Sequence, residues 1–455
     1  MSADLCKSGE VHMEHGPVGR TLIIFTLPLL LSQIFQQFYS MADSMVIGHF
    51  AGDHGLAAVG EAALVLSVVI NFFIGFSTGI STITAHLFGS YQYKALKRLI
   101  STSLLLGSMM GTLLTISGIL GTETFLLWLN CPADVLLPAK QYLKICFLGI
   151  VPQLLYNTGN AVLRSLGNTK EPLVYLLISS FLNLVLDIAL VAGASAGLCG
   201  AAAATVISQW LLAGLIVWKL LHLNAAYCVE PEWKLTTFSD CKKICSAGFP
   251  SGMQAVFMSL SSLVLQTFIN QFGSAAVAGM VLYARVEGFL YYPAFAYGMA
   301  LTGFIGQNLG AGRLDRIQEA MKKSVLIAAG FTIPASLLLT AGSGHLLLCF
   351  TSDPDILFYG SEAIFYILPW YFLYAVVQVC IGGLKGLGKT GYPMICSLIC
   401  YCLFRIIWCQ SLLSIWWDMR VIYQSYNVSL LLMLILLITH YRSTYRKIRD
   451  KNFYP

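Results

Sequence analysis

Charge is what this sequence has least of. Asp, Glu, Lys and Arg make up 11% of its 455 residues and 57% are hydrophobic, whereas a soluble domain carries roughly 25% charged residues. So little charge cannot cover a globular surface of this size, and it excludes a disordered chain as well. The eight histidines lie at the ends of apolar runs or in connections, with no recurring His/Asp or metal-ligand spacing. Without such a constellation a membrane-embedded enzyme is not expected. The 13 cysteines fall mostly inside apolar runs, as Cys146, Cys199, Cys380 and Cys409 do, where a thiol acts as a small hydrophobe. Cys241 and Cys245 have no second pair of ligands nearby, so no metal centre is read from them. Residues 1–20 contain no apolar stretch leading to a cleavage site, and a cleaved signal peptide is not expected.

What remains is a series of long apolar runs, with a mean hydropathy of +0.75 over the chain. Runs broken by Gly, Pro or charge fall at 21–47, 59–88, 99–120, 140–161, 172–193, 198–221, 245–270, 277–309, 324–348, 361–384, 392–413 and 420–441. Each is close to the roughly 20 residues needed to cross a bilayer, which predicts an all-α polytopic membrane protein with twelve transmembrane helices. If the N-terminus is cytoplasmic, 22 of the 27 Lys and Arg lie in cytoplasmic segments and Arg420 alone lies in an outer connection. That asymmetry predicts an even number of spans with both termini cytoplasmic. The net charge of +6 therefore reports membrane orientation, and no nucleic-acid partner is expected.

The two halves repeat each other. Leu166-Gly167-Asn168-Thr169-Lys170-Glu171-Pro172 recurs as Leu387-Gly388-Lys389-Thr390-Gly391-Tyr392-Pro393, and Leu87-Phe88-Gly89-Ser90 as Asn308-Leu309-Gly310-Ala311. Pro28 finds its counterpart in Pro250 at nearly the same offset of about 221 residues. Six spans per repeat keep both copies in one orientation, so two six-helix lobes are expected about a pseudo-twofold axis along the membrane normal, with a cleft between them. The expected division is a cytoplasmic segment 1–20, an N-lobe 21–221, a cytoplasmic linker 222–244, a C-lobe 245–441 and a basic cytoplasmic tail 442–455.

Ionisable groups inside spans are costly and mark function by default. Gln36, Tyr39 and Asp43 share one face of the first span, and Ser180, Asn183 and Asp187 repeat that spacing in the fifth. Thr205 and Gln209 lie four apart in the sixth. Counting from the outer ends puts Asp43, Asp187 and Thr205 at about one depth. Two carboxylates, an Asn carbonyl and a Thr hydroxyl form an oxygen-rich site for Na+ or for a proton shared by coupled acids; the competing reading is polar glue between helices. Glu287 has two readings, an ion pair with Arg405 or a substrate contact. Tyr366, Trp370, Tyr374 and Gln378 step by four along the tenth span and, with Tyr291, offer either packing or a cation–π surface. Pro28 lacks an amide proton and weakens the first span about four turns below Asp43, which makes it a candidate hinge.

Together, Pro28, Met41-Ala42-Asp43-Ser44-Met45-Val46-Ile47-Gly48, Arg164-Ser165-Leu166-Gly167-Asn168-Thr169, Asn183-Leu184-Val185-Leu186-Asp187, Gly200-Ala201-Ala202-Ala203-Ala204-Thr205 and Gly306-Gln307-Asn308-Leu309-Gly310-Ala311-Gly312 resemble the multidrug and toxic compound extrusion (MATE) family. The resemblance covers almost the whole chain. It implies a cation or proton site at Asp43, Asn183, Asp187 and Thr205, and a drug cavity bordered by Gln36, Tyr39, Asn160, Ser180 and Gln209. The lack of acids inside the seventh span, and inside the tenth beyond Glu362 at its end, makes the chain look closer to the DinF-like branch than to the NorM-type branch. The resemblance implies a monomeric antiporter of a bacterial cytoplasmic membrane, in contact with lipid and without cofactor, that exports organic, mostly cationic or amphipathic compounds in exchange for protons or sodium ions by alternating access. Glu287, Tyr291 and Tyr374 join the expected substrate residues. The alternative is a lipid-linked glycan flippase, which needs a cationic cleft and finds only Arg285 and Arg405 at mid-membrane depth.

Overall fold

The computed structural model describes residues 13–128, 131, 133–193, 197–223 and 237–453. Among these every regular element is a helix. α1 (Val18–Gly89) contains two stretches long and apolar enough to cross a membrane, Val18–Gly48 and Ala58–Gly89. There follow α2 (Tyr93–Trp128), α3 (Ala133–Leu148), α4 (Ile150–Ser165), α5 (Lys170–Asp187) and α6 (Gly197–Leu221). The second half comprises α7 (Phe238–Asn270), α8 (Ser274–Gly310), α9 (Leu314–Ala341), the short α10 (Ser343–Leu348), α11 (Pro354–Ile367), α12 (Phe372–Gly386), α13 (Gly391–Ser397), α14 (Phe404–Leu413) and α15 (Met419–Phe453).

Among the described residues nine stretches are span-like by length and composition, and two helix pairs, each bent at a short break, supply one span apiece. α8 completes the expected twelve. Its 37 residues are ample for a crossing, although Arg285, Glu287 and several tyrosines dilute its apolarity. Side chains that would be aberrant on a soluble surface, such as Leu113, Leu120, Phe181 and Leu338, are about 70% exposed or more, rounding 68%, 79%, 71% and 74%; hydrocarbon is their natural solvent. The chain is an integral membrane protein.

Several helices outrun the hydropathy. The expected run 99–120 lies inside α2, and the run 420–441 inside α15, because backbone hydrogen bonding continues past the apolar segment that a bilayer requires. The run 324–348 is shifted: α9 starts at Leu314, where charged residues still fit a helix, and ends at Ala341, with Gly342 as its cap before the separate turn of α10. Residues 238–244, expected in the linker, already belong to α7, whose start is capped by reciprocal bonds between Thr237 and Asp240. The expected linker residues 224–236, and residues 1–12 of the expected N-terminal segment, lie outside the described residues.

The repeat is visible in the backbone. α3 and α4 meet at 43° and α11 and α12 at 49°. Each bend has a proline within three residues, Pro152 or Pro369, which removes one backbone bond from the helical ladder. Gly167 and Gly388, 221 residues apart, both adopt positive φ (89° and 77°). Asn168 N donates to Leu163 O and Lys389 N to Leu384 O, both at 2.9 Å. The repeated Leu-Gly-x-Thr sequence is thus a helix C-cap, with glycine where a side chain would strain the left-handed turn.

Two compact units divide the chain. One contains Leu27–Gly252, the other Met13–Thr26 together with Met253–Pro455. In the first, α4 packs on α2 and α6, and α5 on α6. Backbones come close between α1 and α7, where Gly75 and Gly79 face Ala247, Gly248, Ser251 and Gly252. A Cβ at Gly79 would come within 2.4 Å of the Ala247 carbonyl oxygen, so only glycine permits this separation. In the second unit α12 packs on α8, α9 and α15. Its N-terminal piece buries Val18, Leu22 and Phe25 on one face. The Gly306-Gln307-Asn308 motif and Arg316 hold the residues just before α1: Gln307 Oε1 accepts from Met13 N at 3.0 Å, and Arg316 Nη2 and Nη1 donate to Met13 O and Gly16 O at 3.0 and 2.9 Å.

Candidate functional site

In the first unit Asp43 of α1 and Asp187 of α5 meet, their carboxyls close enough to interact directly. Tyr39, one turn before Asp43, turns its hydroxyl to Thr205 of α6. The i, i+4 spacing places Tyr39 and Asp43 on one face of α1, and the same geometry places Asn183 and Asp187 together on α5. Asn183 and Asp187 are buried and Asp43 half-buried. Among the described residues Asp43 Oδ1, both carboxyl oxygens of Asp187 and Asn183 Nδ2 lack a hydrogen-bond partner. Two carboxyls side by side with unsatisfied oxygens require a counter-charge, which a proton or a monovalent cation supplies.

Immediately after Asp187 the helix widens into a π segment, Ile188–Gly193. Such bulges interrupt the regular ladder and are common at functional positions. Hydropathy and spacing carry no sign of it. α3 also contributes two residues that the apolar reading of its cysteine passed over. Tyr142 and Cys146, one turn apart and hydrogen-bonded to each other, lie beside Asp43 and Tyr39. The sequence signal was a Tyr-x-x-x-Cys face just ahead of the Gly149 break.

The expected cavity residues separate into two groups. Gln36, Tyr39, Asn160, Ser180 and Gln209 belong to the first unit. Asn160 Nδ2 donates to the Tyr156 hydroxyl at 3.4 Å, and Gln209 Oε1 lies over Gly149, 2.1 Å from where a Cβ would stand. Ser180 and Gln36 are half-buried, and the α5–α6 contact is made instead by Ser179, which donates to Ser208 O at 2.7 Å. Glu287, Tyr291 and Tyr374 belong to the second unit, where they line a cavity of about 480 Å³.

That cavity corrects two expectations. Glu287 and Arg405 form no ion pair within 4.0 Å. Glu287 Oε1 instead accepts from the Tyr371 hydroxyl at 2.9 Å, and Tyr283 also approaches its carboxyl. Arg405 is held between the rings of Tyr401 and Tyr426, its guanidinium carbon 4.8 and 4.5 Å from their centroids, while Nε donates to Ser429 Oγ at 2.8 Å. The aromatic stripe is also divided. A 3-10 turn at Leu368–Trp370 and the bend after it rotate the helix, so Trp370 is exposed while Tyr374 and Gln378 are buried and bonded to each other. Tyr371, outside the expected stripe, takes the place facing Glu287.

The MatE family profile matches residues 28–189 and 250–410, two copies that begin at Pro28 and Pro250. A probable multidrug resistance protein NorM of Thermotoga maritima is 26% identical over 390 residues, covering 84% of this chain and 83% of the relative. A probable multidrug resistance protein YpnP of Bacillus subtilis is 25% identical over 405 residues, with 88% and 89% covered. A solved structure described as MATE in the bent conformation superposes with a TM-score of 0.91 at 18% identity, covering 96% of this chain and 98% of its own, and shows the two-lobe, twelve-helix fold. With both repeats matched in order and the fold shared over nearly its whole length, the chain belongs to the MatE family, the multidrug and toxic compound extrusion proteins that its motifs resemble.

Proposed function

We propose that this membrane protein is a secondary active exporter of organic, mostly cationic or amphipathic compounds, driven by the inward flow of protons or sodium ions. The carrying observation is the meeting of Asp43 and Asp187 beside Tyr39 and Thr205, with carboxyl oxygens left unsatisfied among the described residues. An ion bound there neutralises the pair, and its release restores repulsion between two adjoining carboxylates. Asn183, one turn from Asp187, adds a carbonyl oxygen suited to Na+. The names of the relatives, probable multidrug resistance proteins, support the substrate class. Gln36, Ser180, Asn160 and Gln209 supply polar contacts for the exported compound.

Pro28 is the proposed hinge. It lies two residues beyond Thr26, where α1 passes from one compact unit to the other, and Pro250 lies close to the corresponding passage of α7 at Gly252. A helix weakened at that point adopts a second packing at low cost when the charge at Asp43 changes. The protein acts as a monomer among lipids with both termini cytoplasmic, in a bacterial cytoplasmic membrane, and needs no cofactor beyond the coupling ion and no nucleic acid. A lipid-linked glycan flippase is less well supported, because Arg405 shares its cavity with Glu287 and the cavity is not uniformly cationic.

The test is ethidium efflux from proteoliposomes with proton and sodium gradients imposed separately. Uphill efflux under one gradient is expected, with Pro28→Ala slower in turnover but still binding ethidium. Ethidium movement that never exceeds protein-free vesicles under either gradient would overturn the proposal.

A further inference from the structure

The cavity of the second unit holds two opposite charges that do not neutralise each other by contact. Glu287 on α8 is anchored by the Tyr371 hydroxyl, and Arg405 on α14 by Ser429, Ser261 and two aromatic faces. Both side chains line the same space, more than 4.0 Å apart, with Tyr283, Tyr291, Tyr374 and Tyr401 around them. Arg405 is 7% exposed, and among the described residues its Nη2 takes no hydrogen-bond partner. The hydroxyl of Tyr401, on a residue 3% exposed, is also unpartnered among the described residues, while that of Tyr283 leans toward the Glu287 carboxyl. A π segment, Leu398–Leu403, carries Tyr401 and ends just before Arg405, so the helix departs from regular geometry where it presents this pair.

Buried polar groups of this kind are costly unless something completes them. A volume of about 480 Å³ falls within the range of small-ligand pockets. Met258, Met280, Ile269 and Leu430 supply an apolar wall. We propose that this cavity binds a small zwitterion of the amino-acid type with an apolar or aromatic body. Its ammonium meets Glu287 and the tyrosine faces, where cation–π attraction adds to the charge. Its carboxylate meets Arg405, whose guanidinium is already fixed in orientation and so loses little freedom on binding. The hydroxyl of Tyr401 donates to the same carboxylate or to the linking atoms. Charge of one sign alone leaves either Glu287 or Arg405 uncompensated, so specificity comes from requiring both. The site is independent of the Asp43–Asp187 pair, which lies in the other unit, and it stands or falls apart from ion-driven export.

Three matched probes test it on the full-length protein in lipid nanodiscs by titration calorimetry: L-phenylalanine, its methyl ester, which keeps only the positive charge, and N-acetyl-phenylalanine, which keeps only the negative one. The zwitterion is expected to bind at least about tenfold more tightly than either relative. Glu287→Gln should weaken the zwitterion while leaving N-acetyl-phenylalanine unchanged or improved. Tyr401→Phe, which keeps the ring against Arg405, should weaken the zwitterion and serves where an Arg405 variant fails to fold. Equal binding of phenylalanine and its ester, or no binding of phenylalanine up to about 10 mM, would overturn the proposal and leave Glu287 and Arg405 as structural charges.

Discussion

Tyr371 and Glu287 are joined by a 2.9 Å hydrogen bond in which the phenol donates to a carboxyl oxygen, in the wall of the second unit's cavity. Tyr371→Phe deletes the donor and preserves the ring. The expected cost is about 1 kcal/mol, since polar contacts within membrane proteins average about 0.6 kcal/mol and rarely exceed about 2. Thermal unfolding in detergent measures it, and an unchanged midpoint would show that Tyr371 does not support Glu287. Sequence spacing found Glu287, because a lone acid in an apolar run stands out. It did not find Tyr371, because tyrosine is common in this chain, at 22 residues, and helix phase is lost across the turn at Leu368–Trp370. Cys146 was missed for the related reason that a thiol in an apolar run looks like any small hydrophobe until Tyr142 and Asp43 are placed beside it.

Helices report their ends and breaks unevenly. The paired motifs around Gly167 and Gly388 were legible because a left-handed turn demands glycine, and the backbone bonds explain why the surrounding residues repeat. Neither π segment was legible, since one extra residue in a turn leaves no mark on composition. The close crossing of α1 and α7 was also hidden: Gly75, Gly79, Gly248 and Gly252 are four of 40 glycines, and only contact separates them from the rest. Gly79→Ala places a Cβ within 2.4 Å of Ala247 O and 2.5 Å of Gly248 Cα, so the helices must part. A loss of about 1–3 kcal/mol is expected, the usual cost of overpacking. Gly60→Ala is the control, with nothing within 4 Å of the added atom. Equal midpoints for the two variants in thermal unfolding would contradict the assigned packing.

At the scale of the molecule, one six-span plan is used twice and then made unequal. Profile copies, bends and caps all recur at about 221 residues. Duplication was readable because it preserves punctuation, and the twelve-helix fold followed from counting apolar runs. Chemistry diverged where the backbone did not: the first unit gathers two carboxyls, and the second gathers one carboxyl, one guanidinium and a set of tyrosines. In this account the carboxyl pair carries the driving ion, so its loss uncouples transport without abolishing compound binding. The decisive measurement is gradient-driven ethidium efflux from proteoliposomes containing Asp43→Asn or Asp187→Asn, alongside ethidium binding to the same preparations. The account predicts that each variant binds ethidium within about threefold of the parent and loses at least about tenfold in uphill efflux. Uphill efflux at the parent rate by either variant would contradict it.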